Sequence, residues 1–281
     1  MLAGSYRNQR SLIAVGVGSL RRGITSFEGQ RQIGNNGASG TLGAGNVTIN
    51  DGATLAVSRS DSYAAGNAIS GAGGLRQIGS GSTTLTGTNR YLGMSEVLAG
   101  TLLVNGDQTG ATGAVNVSAG ATLGGTGIVG GVVTVDGDLA PGTGPGILTL
   151  VNALTMNSSS TYLVEIDGTA AWDLTRATGV TLNNPALDIT LLNQPSPGFQ
   201  YPILENTSAP AIAGTFNGLS EGAAFVDDGW NWSITYAGGS GNDAVLTAVS
   251  PIPEPTQLAL LAGAIALAIR RRRQTHPRAE R

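Results

Sequence analysis

A short unit recurs along this chain: an alternating Val/Ile strand, a turn centred on Gly, and a second short strand carrying Leu. It is read in NVTINDGATLAV (46–57), EVLAGTLLVNG (96–106), VNVSAGATLGG (115–125) and VVTVDGDLAPG (132–142). The aligned glycines are Gly52, Gly100, Gly120 and Gly137, the last three separated by 20 and 17 residues. That is close to the roughly 20–29-residue period of stacked solenoid rungs. Two or three short strands cannot bury an apolar face alone, but rungs laid on one another can. The alternation then turns every second residue inward, with Val47/Ile49, Val115/Val117 and Val133/Val135 as candidate interior columns and Gly supplying positive φ at the corners. An antiparallel sandwich with Gly-rich hairpins would alternate in the same way. The near-constant spacing favours the stack, so the expected fold class is all-β: a right-handed parallel β-helix followed by a β-rich capping region.

Composition agrees. Gly is present 44 times and there is no Lys at all, whereas exposed helices draw on Ala, Leu, Glu, Lys, Gln and Arg. Charged residues make up 12%, about half the usual quarter. All 15 basic residues are Arg, and six of them (Arg270, Arg271, Arg272, Arg273, Arg278, Arg281) oppose only Glu280 in the last twelve positions. That tail carries +5 and leaves −8 on everything before it. An acidic body argues against a nucleic-acid partner, which needs phosphates neutralised by Lys and Arg. The absence of Cys removes thiolate metal sites and Cys nucleophiles. The single His, His276, lies in the tail and leaves the body without an imidazole for general-base work or zinc ligation. No cofactor is expected.

Four regions are expected: a poorly structured or truncated N-terminus (1–30), solenoid repeats (31–150), a β-rich second half that continues the rungs or caps them (151–249), and a sorting segment (250–281). In the first, Arg7 and Arg10 precede SLIAVGVGSL and Arg21-Arg22 follow it. The basic start suits a signal peptide, but the apolar core is short, broken by Gly16 and Gly18, and lacks a clear A-x-A site. A misplaced start or missing upstream repeats fits better, and a degraded reading frame is a further alternative. The 151–249 region holds all three Trp and five of the eleven Pro.

The stretch GLRQIGSGSTTLTGTNRYLGMSEVLAGTLLVNG (74–106) resembles the autotransporter-associated β-strand repeat, also called the passenger-associated transport repeat. The likeness rests on Gly79-Ser80-Gly81, on Leu85-Thr86-Gly87-Thr88-Asn89-Arg90-Tyr91 and on Ala99-Gly100-Thr101-Leu102-Leu103-Val104-Asn105. Gln77-Ile78 and Leu92-Gly93-Met94-Ser95 depart from the usual Thr-Lys and Thr-Gly-Gly-Thr. The resemblance implies a secreted β-helical passenger and carries no catalytic residues across.

The last thirty residues are similar to the PEP-CTERM sorting signal. Pro253-Glu254-Pro255 precedes an uncharged Ala/Leu run (257–269), then Arg270, Arg271, Arg272 and Arg273. Proline ends the preceding strand and holds the motif extended, the run favours helix, and the arginines stay cytoplasmic under the positive-inside rule. Thirteen residues at about 1.5 Å each reach about 20 Å, short of a hydrocarbon core near 30 Å, so snorkelling and local thinning must cover the difference. The resemblance implies that exosortase, a membrane-embedded cysteine protease, recognises Pro253, Glu254 and Pro255. It further implies an inner-membrane-anchored precursor, and a final place at the cell surface or in the extracellular matrix beside polysaccharide.

Two chemical readings compete with a structural or adhesive role. Gly238-Gly239-Ser240-Gly241-Asn242-Asp243-Ala244-Val245-Leu246 fits the calcium-binding nonapeptide and makes Asp243 a metal candidate, but calcium there sits between successive turns and this copy is single. A glycan-degrading, polysaccharide-lyase-like β-helix enzyme would draw on Asp136, Asp138, Asp167, Asp173 and Arg176. These are scattered over separate rungs, where Asp in Gly-rich turns normally serves the turn. The expectation is no enzyme.

Overall fold

The computed structural model describes residues 12–14 and 26–253. Every regular element among them is a strand, and they coil into a right-handed parallel solenoid of about eight turns. Each full turn lays one strand on each of three faces. The first face stacks from Leu12–Ala14 and Gln30–Gly37 down to Ala213–Thr215. The second runs from Ser62–Ala65 to Ala186–Asn193, and the third from Val47–Thr48 to Gln200–Asn206 as two successive sheets. Pairing is parallel throughout this body except for the short Ala171–Trp172 return strand and a single antiparallel bridge between Gly125 and Gly142, which decides for the stack over the sandwich.

Register follows the inward columns. On the first face Leu55, Leu75, Ser95, Val115, Val133, Leu154 and Val180 lie one above another. Beside them run Val57, Gln77, Val97, Val117, Val135, Met156 and Leu182. A slip by one residue would turn these columns to solvent, so burial itself holds the register. Val115/Val117 and Val133/Val135 are thus interior neighbours. Val47/Ile49 is also buried but belongs to the third face. Its unit is out of phase with the others: Gly52 turns the chain from the third face to the first, whereas Gly100, Gly120 and Gly137 stand between the first and second. Three chemically similar corners accept the same strand–Gly–strand text.

Glycine serves these corners in two ways. Gly120 has φ +78 with open space around it, a purely conformational need. Gly73, Gly93, Gly113 and Gly131 instead stack where the backbone of successive turns touches: a Cβ on Gly113 would fall on the carbonyl of Gly93, and one on Gly131 on that of Gly113.

The rungs continue past Leu150 without a break, since Ile147–Leu150 pairs in parallel with Leu174–Ala177. Beyond Thr215 the chain closes the end. Asp243–Pro251 adds antiparallel to Gln200–Asn206, then Trp230–Gly238 and Ala224–Asp227 follow antiparallel on its far side. Trp230, Trp232 and Ile234 bury their side chains there, and Trp232 meets Tyr201 edge to face at 5.9 Å. Tyr236 ties the cap to the last turn: its hydroxyl accepts from Phe216 N at 2.9 Å and donates to Leu219 O at 2.7 Å. Phe216 stacks on Tyr162 at 6.0 Å. The aromatic residues of 151–249 are what a wide terminal turn needs to exclude water.

Candidate functional site

The 74–106 unit occupies one full turn and most of the next, and each of its distinctive residues has a structural task. Leu85, Asn89 and Tyr91 point inward. Asn89 Oδ1 accepts the Ile69 amide of the turn above at 2.7 Å, while the Tyr91 and Ser95 hydroxyls pair at 2.7 Å. Gln77, fully buried, donates to the carbonyls of Gly79 and Gly81 at 2.8 and 3.1 Å and holds the Gly-Ser-Gly corner from inside.

The acidic residues weighed for glycan cleavage do not converge. Asp136 sits at a corner and accepts from Asn157 at 2.8 Å. Asp138 points outward on the second face, and Asp167 bonds Asn193 at the far end of that face. Arg176 lies on the outside of the third face, paired with Glu205 at 2.6 Å. Asp173 is the chemically unusual one: burial pushes its carboxyl up to about 7. Both of its oxygens are nevertheless taken, Oδ1 by Gly146 N at 2.8 Å and Oδ2 by Glu165 N at 2.9 Å. At 2% exposure it meets no substrate. It pins the Gly-rich loop 142–146 to the strand Thr161–Asp167.

Asp243 has a similar role. Its Oδ1 accepts the buried Asn206 amide at 2.9 Å and its Oδ2 faces Ser240 N at 3.4 Å, so the carboxylate closes the hairpin turn Gly239–Asn242. No group of three or more His, Cys, Asp or Glu side chains among the described residues is arranged to hold a metal ion.

What the fold does assemble is a surface. Outward positions of the second face place Ser62, Ser82, Thr101 and Thr122 in one column over four consecutive turns, about 4.8 Å apart. Ala64, Thr84, Leu103 and Gly124 form the parallel column beside it. With Gly124 itself buried, the other seven positions make an uncharged strip of hydroxyl and apolar groups, bounded below by the outward Asp138 of the next turn. At its upper end an open cleft of about 520 Å³ is lined by Thr41, Asn46, Tyr63 and Asn67, again without charge. The strip escaped the sequence reading, although the Ser/Thr recurrence near each first-to-second-face corner was a usable signal. Two ion pairs sit away from it, Arg76–Glu96 outside the first face and Arg176–Glu205 outside the third, while Arg59–Asp61 stands at the corner beside Ser62, its guanidinium 5.1 Å from the Tyr63 ring.

Of the sorting motif, Pro253 is exposed just beyond the last strand. Glu254, Pro255 and Arg270, Arg271, Arg272 and Arg273 lie outside the described residues. Among the described residues no helix is long and apolar enough to cross a membrane.

No protein-family model matches the chain. A stretch of 109 residues, 37% of the chain, is 47% identical to the adhesin BmaC autotransporter of Brucella suis biovar 1. A stretch of 171 residues, 57% of the chain, is 30% identical to the extracellular serine protease of Serratia marcescens. The chain spans 3% and 16% of those two proteins. Both likenesses, together with the parallel stack, fit autotransporter-associated repeats.

Proposed function

We propose that this chain is an exported surface protein of adhesin type, whose solenoid is a contact scaffold and not a catalyst. The observation that supports this most directly is the parallel stack with its uncharged outward strip, in a chain of which 109 residues are similar to part of an adhesin. The scattered placement of Asp136, Asp138, Asp167, Asp173 and Arg176 supports the non-enzymatic half of the reading. The natural partner for a neutral hydroxyl-bearing face is an extracellular polysaccharide, met by hydrogen bonds and flat apolar contact. Retention of the purified body on immobilised neutral polysaccharide tests this. Thr101→Lys with Thr122→Lys should lose retention several-fold while keeping the fold, and unchanged retention would refute the assignment of the face. Unsaturated product absorbing in the ultraviolet after incubation with acidic polysaccharide and calcium would refute the non-enzymatic reading.

We further propose that the C-terminus sorts the protein. Exosortase would recognise Pro253, Glu254 and Pro255, the apolar run would sit in the inner membrane, and Arg270, Arg271, Arg272 and Arg273 would stop transfer on the cytoplasmic side. The body would then lie outside the cytosol and end at the cell surface or in the matrix. A reporter active only in the periplasm should give signal before Pro251 and none after Arg273. Truncation at Ser250 should abolish processing, and normal location and processing after it would overturn the proposal.

A further inference from the structure

The lower end of the second face is an eight-residue strand, Ala186–Asn193, paired on one side only. Its inner amides enter the parallel ladder with Thr161–Asp167. On the free side, amides of Ile189 and Leu191 would face solvent or another strand. They are met instead by side chains: Ile189 N donates to Asp227 Oδ2 at 3.2 Å and Leu191 N to Asp228 Oδ2 at 2.6 Å. Both carboxylates come from the tip of the cap hairpin. There Asp228 and Gly229 take φ of 39° and 76°, the paired positive values of a two-residue I′ turn. Trp230 Nε1 clamps the same tip by donating to Gln194 Oε1 at 2.6 Å.

A long edge strand is a template for pairing with another chain. Here the template is self-complementary. Two copies of Ala186–Asn193 running antiparallel about Thr190 would let Ile189 and Leu191 exchange both of their edge hydrogen bonds with the other copy. That register sets Asp188 against the exposed Leu192 of the second copy and not against another Asp188, so no like charges face each other across it.

We propose that Asp227 and Asp228 form an autoinhibitory plug on this edge, and that the partner they exclude is a second copy of the same strand in a two-fold, edge-to-edge dimer. The tip is held by the two carboxylates and by the Trp230–Gln194 bond, so removing all three lets the turn leave the edge while the rest of the cap stays paired.

Sedimentation of the full chain tests this. Wild type should be monomeric, with the Ile189 and Leu191 amides protected from hydrogen exchange. In a Gln194→Ala background, which releases the Trp230 clamp, Asp227→Ala with Asp228→Ala should dimerise at tens of micromolar. Adding Leu192→Glu should return the double variant to monomer by placing like charge against Asp188, whereas adding Leu192→Arg should leave it dimeric. A monomeric double variant, association indifferent to the charge at 192, or unprotected Ile189 and Leu191 amides in wild type would each overturn the proposal. If the double variant does not fold, Asp228→Ala alone, which removes the shorter bond, carries the same comparison.

Discussion

The hydroxyl of Thr83 on the second face donates to Oε1 of Gln77 on the first at 2.7 Å, across an interior whose columns are otherwise mainly apolar. With its two bonds to Gly79 and Gly81, Gln77 has every polar group engaged. Gln77→Leu would strand the Thr83 hydroxyl and loosen the corner, and should lower the unfolding free energy by about 2–3 kcal/mol. Adding Thr83→Val should restore part of that loss, because an unpaired hydroxyl no longer remains buried. Urea unfolding of the two variants checks both signs.

The two uses of corner glycine separate in the same assay. At Gly120 a methyl group meets nothing within 4 Å, so Gly120→Ala pays only for positive φ, about 1–2 kcal/mol. At Gly113 the methyl group would collide with the backbone of the turn above. Gly113→Ala should therefore cost about 3 kcal/mol or more, since two rungs must move apart. Equal costs would mean that the stacked glycines are not in contact.

Asp173 gives stability a pH dependence of unusual sign. Its folded value, near 7, lies above that of an exposed carboxyl, about 3.9, so between these values the folded chain holds a proton that the unfolded chain releases. Stability contributed by this group therefore rises as pH falls from 8 to 5. The thermal midpoint should rise by a few degrees over that range, and Asp173→Asn should flatten the trend.

Asp243 closes a turn through backbone amides. Its melting behaviour should be the same in millimolar calcium and in chelator, while Asp243→Ala lowers the midpoint in both. A calcium-dependent rise in wild type that Asp243→Ala abolishes would restore the metal reading.

The strand content, the parallel coil and the inward Val columns were legible in the sequence because they depend on period and alternation alone. Phase was not. Gly52 and Gly120 stand in nearly the same local text, yet mark different corners, because a three-sided coil offers three equivalent places to bend. Gly137 lacks the positive φ of Gly52, Gly100 and Gly120; it is small because Ala121 and Ser118 carbonyls crowd it, a contact one turn away that no local pattern reveals. Gln77 and Ser95 look like surface residues, and only their stacking between Val57 and Val97, or between Leu75 and Val115, turns them inward. Asp173 and Asp243 read as turn or metal chemistry because their partners are backbone amides, from Gly146 and Asn206, far along the chain.

Turn length varies while the interior stays aligned: Thr122 rests on Asp138, only sixteen positions on, and Thr181 on Ala213, thirty-two on. Most of the surplus is looped out beyond the corners into solvent, with single residues such as Phe199 and Ile212 anchoring the loops on the core. Exposed positions such as 196–198 and 209–211 can therefore be rewritten or lengthened with foreign peptide at little thermodynamic penalty, whereas Gln194, Phe199 and Ile212 beside them hold the cap and core and one added methyl group at Gly113 forces two rungs apart. Variation along such a chain is channelled outward, toward whatever the surface touches.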